Sequence, residues 1–421
     1  MGKNTMQNTI KYTNSLGQKA VTELVFNAHF SPNAPYDAVQ KEVLNDTAFE
    51  MARATITDWP DYAPTPLHRL SEPAAQAQVS AVYYKDEGGR FGLGSFKALG
   101  GAYAVLRLLM REISIRKGIE EPTIQEILGR VHDDVVSTMT VCCATDGNHG
   151  RSVAWGAQIF GCQCEIFIHA TVSQGRKTAI EAFGARVVRC AGNYDDSVRE
   201  ADQTAREKGW FVVSDTSYPG YTEIPKDVMQ GYEVMAAEAA DQLEQPPTHV
   251  FVQTGVGGVA AAVAAQMRRR YGADFAPRII LADPENSACW LETIRAGTPT
   301  HVEGDLDTLM AGLACGEISL LAWDVLKPLC FAVVSVADDD ATDLMRRLAF
   351  PQGADAPIVA GESAVAGVAA FLAAAGHSTA REALGLDATS RVLVFGTEAD
   401  TDPELYQKLV GKTADQVRAG A

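Results

Sequence analysis

Along most of this chain, short apolar runs alternate with longer stretches whose apolar positions recur every three or four residues. The runs Val250, Phe251, Val252 and Val392, Leu393, Val394, Phe395 are apolar throughout, the pattern of strands covered on both faces. Strands are expected at residues 82–85, 138–144, 165–169, 186–190, 210–214, 249–253, 278–282, 331–336 and 391–395. Helices are expected at 151–160, 174–183, 195–208, 225–243, 259–271 and 363–375. Such alternation gives an α/β fold, a mostly parallel sheet wrapped by helices. Ligands of these sheets sit at the carboxyl ends of the strands, so the residues just after each strand are where chemistry is sought. The first stretch is less regular, broken by Pro32, Pro35, Pro60, Pro64 and Pro66, and is expected to form an arm or edge packed on the main body.

A length of 421 residues suggests two or three domains. With 36 Lys and Arg against 53 Asp and Glu, the net charge is −17, which argues against a nucleic-acid or anionic-membrane surface. The opening residues are polar, with Lys3, Asn4, Asn8 and Lys11 where a secretory signal needs an apolar run. The uncharged stretch 249–267 is long enough to span a bilayer, but Gln253, Thr254, Gln266 and its glycines mark a strand, a turn and an Ala-rich helix. Of the eight cysteines, Cys142, Cys143, Cys162 and Cys164 lie in strand-like runs without zinc-site spacing. They read as strand residues in a reducing cytoplasm, and a Cys289–Cys315 link is left open. The run Asp338, Asp339, Asp340 reads as a solvated helix start and not a metal site, and Arg268, Arg269 and Arg270 as a helix end. The five tryptophans read as core.

Three turns carry candidate chemistry. In Gly94, Ser95, Phe96, Lys97, the serine is placed to cap a helix with Lys97 in its first turn. There the helix dipole disfavours an ammonium and eases formation of a Schiff base. The second turn, Thr145, Asp146, Gly147, Asn148, His149, Gly150, sets a hydroxyl, a carboxylate, a carboxamide and an imidazole at one strand end; it can also be an Asx-type turn. The third, Gln253, Thr254, Gly255, Val256, Gly257, Gly258, joins a buried strand to an Ala-rich helix and offers backbone N–H groups to a phosphate. Gly255, Gly257 and Ala260, with Asp283 ending the next strand, also fit a loose dinucleotide fingerprint, which leaves a nicotinamide-dependent oxidoreductase as the alternative from a different class.

The order Ser-Phe-Lys, Gly-Asn-His turn, Gly-rich turn resembles the fold-type II pyridoxal-phosphate (PLP) enzymes. Tyr62 to Leu67, Lys85-Asp86-Glu87, Arg90 to Leu93, Thr145 to Gly150, Asp215-Thr216, Gly220-Tyr221-Thr222, Ile224-Pro225, Met229 to Tyr232 and Thr397-Glu398 narrow it to the diaminopropionate ammonia-lyase branch. Gly94 and Ser95 depart from that branch, which has Asn-Ala there, and are closer to the dehydratases. The resemblance implies two doubly wound αβα domains with the active site between them: 1–102 with 222–421 as the large PLP-binding domain including the N-terminal arm, and 103–221 as the smaller substrate-side domain. It also implies α,β-elimination of 2,3-diaminopropionate, D and/or L, to pyruvate and two ammonia, by a cytoplasmic homodimer. A serine/threonine dehydratase, or a lyase of another β-substituted alanine, is the nearest alternative.

By the same resemblance Lys97 would bind the cofactor's aldehyde and Asn148 its ring oxygen. Gly255, Val256, Gly257 and Gly258 would line its phosphate, and Thr397, the hydroxyl beside the last strand, its pyridine nitrogen. Asp146 would take the α-proton of the D isomer and Asp215 that of the L isomer. In its own right, a carboxylate at Asp146 also suits a substrate with an amine on Cβ, as a base or as an anchor. Asp215 could alternatively cap Thr216 and Ser217. Thr145 and His149 would seat the substrate carboxylate, with His149 equally readable as a buried structural residue.

Overall fold

The computed structural model describes residues 8–13, 21–145, 147–192 and 194–420. The strands are β1 (Thr9–Thr13), β2 (Val21–Phe26), β3 (Leu67–Arg69), β4 (Ala81–Asp86), β5 (Thr140–Ala144), β6 (Gln163–Ile168), β7 (Arg186–Arg189), β8 (Phe211–Val212), β9 (His249–Gln253), β10 (Arg278–Pro284), β11 (Cys330–Val336) and β12 (Arg391–Gly396). They form an eight-stranded sheet in the order β1-β2-β11-β10-β9-β12-β4-β3 and a four-stranded sheet in the order β7-β6-β5-β8. The chain packs as two compact units. One holds the described residues within Met1–Val43, Pro64–Gly88 and Ala236–Ala421; the other holds Leu44–Ala63 and Gly89–Met235.

In the first unit the five strands from β11 to β4 run parallel, and β1, β2 and β3 add antiparallel at the edges. The expected N-terminal edge is therefore the pair β1–β2, joined to β11. Every residue of β9 is buried, as is every residue of the helix Ala366–Ala375 that covers this sheet. That helix starts later than its apolar run suggests: the Glu398 carboxylate accepts the N–H of Ser363 at 3.1 Å and holds the preceding residues in turns. At the head of β9, His249 is fixed between Leu384 O (3.0 Å) and Thr248 Oγ1 (2.8 Å).

Burial lowers the His249 pKa from 6.5 to about 4. The unfolded chain thus binds the proton first as the pH falls, and the stability conferred by the neutral ring, about 3 kcal/mol, drains away between pH 6.5 and 4. A His249→Gln variant should show a flatter fall of melting temperature over that interval. An unchanged slope would place the acid sensitivity elsewhere.

The second unit is built on a four-stranded parallel sheet. Strand β8 is shorter than the expected 210–214. The Tyr221 hydroxyl donates to Val212 O and accepts from Ser214 N, while Val213 O is taken by the His149 ring, so side chains claim the backbone that would have extended the ladder. The unit boundaries fall near residues 43, 63, 88 and 235, where the sequence suggested 102 and 221. The helix Lys97–Lys117 accounts for the shift, because it lies along Asn148–Phe160 so closely that a Cβ on Gly156 would stand 2.8 Å from Ala102 Cα.

No helix among the described residues is long and apolar enough to cross a membrane. All eight cysteines, Cys289 and Cys315 included, are free thiols, and no cluster of three metal-ligating side chains occurs among the described residues. The three aspartates do start a helix, Asp338–Ala349. They are not all solvated, however: Asp340 is buried, and Asp338 accepts from Thr308 Oγ1 and Leu309 N.

Candidate active site

Lys97 opens the helix Lys97–Lys117, so its amine sits at the positive end of the helix dipole. Ser95 does not cap it: the N-cap is Phe96, already helical in φ and ψ, and Ser95 is buried one residue earlier. The Ser152 hydroxyl donates to Lys97 O at 2.7 Å. The helix is also gripped at Leu99 and Gly100. A Cβ on Gly231 would overlap the Leu99 carbonyl, and one on Gly100 would overlap the Tyr232 ring. The Lys97 ammonium lies 5.4 Å from the Phe96 ring centroid and 5.9 Å from that of Tyr232.

Asp215 follows β8 and its Oδ2 stands 2.5 Å from Lys97 Nζ. Ser214 Oγ accepts the Thr216 N–H at 3.2 Å and does the turn-capping that had been an alternative role for Asp215. Burial pushes the Asp215 carboxyl up, but the Lys97 ammonium, by its charge and by its hydrogen bond, outweighs burial and holds the pKa well below the ordinary carboxylate range. His149 Nδ1 is 3.9 Å from the same carboxylate, while Nε2 is 2.8 Å from Val213 O. A carbonyl partner makes Nε2 the protonated nitrogen. Burial lowers the ring's pKa, so His149 is neutral and presents an Nδ1 lone pair on the Asp215 side.

In the second turn, Thr145 Oγ1 accepts the N–H groups of Gly147 (3.0 Å) and Gly150 (3.1 Å). Those two donors hold the turn and leave the Thr145 hydroxyl proton to be given elsewhere. Asn148, half-buried, opens the helix Asn148–Phe160. Asp146 lies outside the described residues.

The third turn belongs to the other unit. Gly257 caps the helix Gly258–Phe275 at φ +101°, and a Cβ there would fall within the Trp290 ring. A Cβ on Gly255 would meet Cys315 Sγ at 3.0 Å. The Gly255 and Val256 carbonyls accept from Cys289 Sγ (3.6 Å) and Ser319 N (2.9 Å), which fixes the turn from one side. Thr397 follows β12, and its Oγ1 accepts from Gln253 Nε2 at 2.6 Å.

Asp283, which the dinucleotide reading needs, is fully buried and accepts the N–H groups of Trp290 and Leu291 at 2.9 Å each. Burial pushes its pKa well up, against the two N–H groups that it accepts, and its place is inside the fold at the start of the helix Cys289–Ala296, away from any ribose at the surface. The structure thus brings Lys97, Asp215 and His149 together in one unit, and Thr397 to the head of the glycine turn in the other. Gln253, Ser152, Ser214 and Tyr232 had been given no role from sequence. The signal for Gln253 was a lone carboxamide closing an otherwise apolar strand.

These residues suit pyridoxal phosphate. The turn that leads into the helix Gly258–Phe275 is kept free of side chains, because a Cβ at Gly255 or Gly257 would strike Cys315 or Trp290; a helix N-terminus offers N–H groups to a phosphate, and a lysine amine is what an aldehyde requires. Residues 59–396 match the family described as pyridoxal-phosphate dependent enzyme, and the chain belongs to that family. The diaminopropionate ammonia-lyase of Escherichia coli (strain K12) is 38% identical over 355 residues, covering 83% of this chain and 87% of that protein. A holo crystal structure of the Escherichia coli diaminopropionate ammonia-lyase superposes with a TM-score of 0.84 at 33% identity, covering 95% of this chain and 98% of that one. The same enzyme in complex with an aminoacrylate-PLP azomethine reaction intermediate superposes with a TM-score of 0.82 at 34% identity, with shares of 95% and 98%. Within the family, the chain is placed among these ammonia-lyases.

Proposed function

We propose that this chain removes both amines of 2,3-diaminopropionate, giving pyruvate and two ammonia with the uptake of one water. The observation that carries the reading is the pairing of Lys97 Nζ with Asp215 Oδ2 at 2.5 Å in the first turn of a helix. Bound pyridoxal phosphate supplies the electron sink through which a proton and a neighbouring amine leave the substrate. Asp215, ionised and beside the lysine, takes the α-proton from the L isomer, and Asp146 takes it from the D isomer. Lys97 would hold the cofactor's aldehyde, and its amine is the group placed to deliver a proton to the departing β-amine, so that it leaves as ammonia. The enamine that is released tautomerises and loses its second nitrogen to water.

Asn148 supports the ring oxygen. Gly255, Val256, Gly257 and Gly258 hold the phosphate, and the Thr397 hydroxyl meets the pyridine nitrogen. Thr145 and His149 shape the pocket for the substrate carboxylate. Eight free thiols suit a reducing cytoplasm, and a homodimer is the assembly we expect.

The test is the ratio of ammonia to pyruvate formed from D- and L-2,3-diaminopropionate, with L-serine as comparison. Two ammonia per pyruvate from a diamine, with little product from serine, is expected. One per pyruvate from serine alone would make the chain a dehydratase. Asp146→Asn should remove turnover of the D isomer selectively, by about 10²–10³-fold.

A further inference from the structure

The residue that ends β9 holds the hydroxyl at the end of β12. Gln253 is 1% exposed, and its Nε2 lies 2.8 Å from Phe395 O, 3.4 Å from Ala364 O and 2.6 Å from Thr397 Oγ1. Two backbone carbonyls on one side settle which way the carboxamide faces, since a rotated amide would set its oxygen against both of them. Gln253 Oε1 is buried and has no partner among the described residues. Burying such an orphan is costly, and a leucine of similar bulk would avoid it. What the carboxamide contributes is therefore its N–H groups.

One of those N–H groups occupies a lone pair of Thr397 Oγ1. A hydroxyl has one proton to give, and no described residue accepts the proton of Thr397. We propose that Gln253 is a positioning residue: by donating to Thr397 Oγ1 it orients this hydroxyl as a hydrogen-bond donor toward the cofactor's pyridine nitrogen. The inference rests on the assignment of Thr397 to that nitrogen. A ring nitrogen that receives a hydroxyl proton in a hydrogen bond stays formally unprotonated, the state that suits elimination more than transamination. Gln253 thus acts on the cofactor through another side chain and touches no reacting atom.

The experiment is a double-mutant cycle on cofactor affinity. Apoprotein of the parent chain, Gln253→Leu, Thr397→Val and the double variant is titrated with pyridoxal phosphate and followed by visible absorbance. Each single substitution is expected to weaken binding by about 5–10-fold, the worth of one well-placed hydrogen bond. The double variant should bind no worse than Thr397→Val alone. If Gln253→Leu weakens binding as much on the Thr397→Val background as on the parent, or leaves the parent's affinity intact, the proposal fails. If Thr397→Val binds as tightly as the parent, the assignment of Thr397 itself is wrong and the proposal falls with it. Gln253→Met, read in the same titration, answers the question should the leucine variant fold poorly. A normal melting temperature in either variant excludes general damage to the sheet.

Discussion

Lys97→Ala should yield a colourless protein whose turnover of either diaminopropionate isomer is reduced by at least about 10³-fold. The amine is both the group that an aldehyde captures and the proton source for the departing ammonia, and no other described lysine pairs with Asp215. The same substitution strips the Asp215 carboxylate of its cation. The two side chains are 19% and 18% exposed, so the penalty falls short of that for a fully buried pair and should be about 1–3 kcal/mol in a urea titration. Lys97→Arg separates the two effects: a guanidinium can still face Asp215, so stability should largely return while colour and turnover do not. A yellow, active Lys97→Ala protein would remove the foundation of the functional reading.

Asp215→Asn should lower turnover of the L isomer by about 10²–10³-fold and leave the D isomer within a few-fold of the parent. Its geometry is preserved, because an amide oxygen can still accept from Lys97 Nζ. What disappears is a base held ionised by that ammonium. The depressed pKa has a further consequence for pH–rate profiles. The stabilisation this carboxylate provides is present above its unfolded value of 3.8 and is lost only as the pH falls toward its lower folded value. Any acid limb between pH 5 and 7 must then come from another group, so its position should be the same for the D isomer in Asp215→Asn as in the parent. Selective loss of the D isomer in this variant would reverse the assignments of Asp146 and Asp215.

The parallel sheets were legible because their strands are almost purely apolar: Val250 to Val252 and Val392 to Phe395 admit few other placements. Lys97, Asp215 and the glycine turn were legible because each follows such a strand or opens a helix, where side chains must be exposed to a ligand. The end of β8 was not legible, since it depends on a tyrosine hydroxyl and an imidazole reaching backbone groups from elsewhere in the chain. The part that Thr145 plays in its own turn was hidden for a related reason. Two neighbouring N–H groups donate to its hydroxyl oxygen, a fold-back that the residue order does not display. Gln253 shows the remaining limit: the sequence displays a carboxamide at a strand end, but its partner stands 144 residues away.

The helix that begins at Lys97 is wedged on two sides, by Gly231 at the Leu99 carbonyl and by Gly156 at Ala102. Neither contact can widen to admit a methyl group without displacing backbone, so the helix cannot slide or rotate to suit a new substrate. The seat of the amine is thus fixed by two glycines that lie far from it in sequence, and a methyl at either one would move the lysine without touching it.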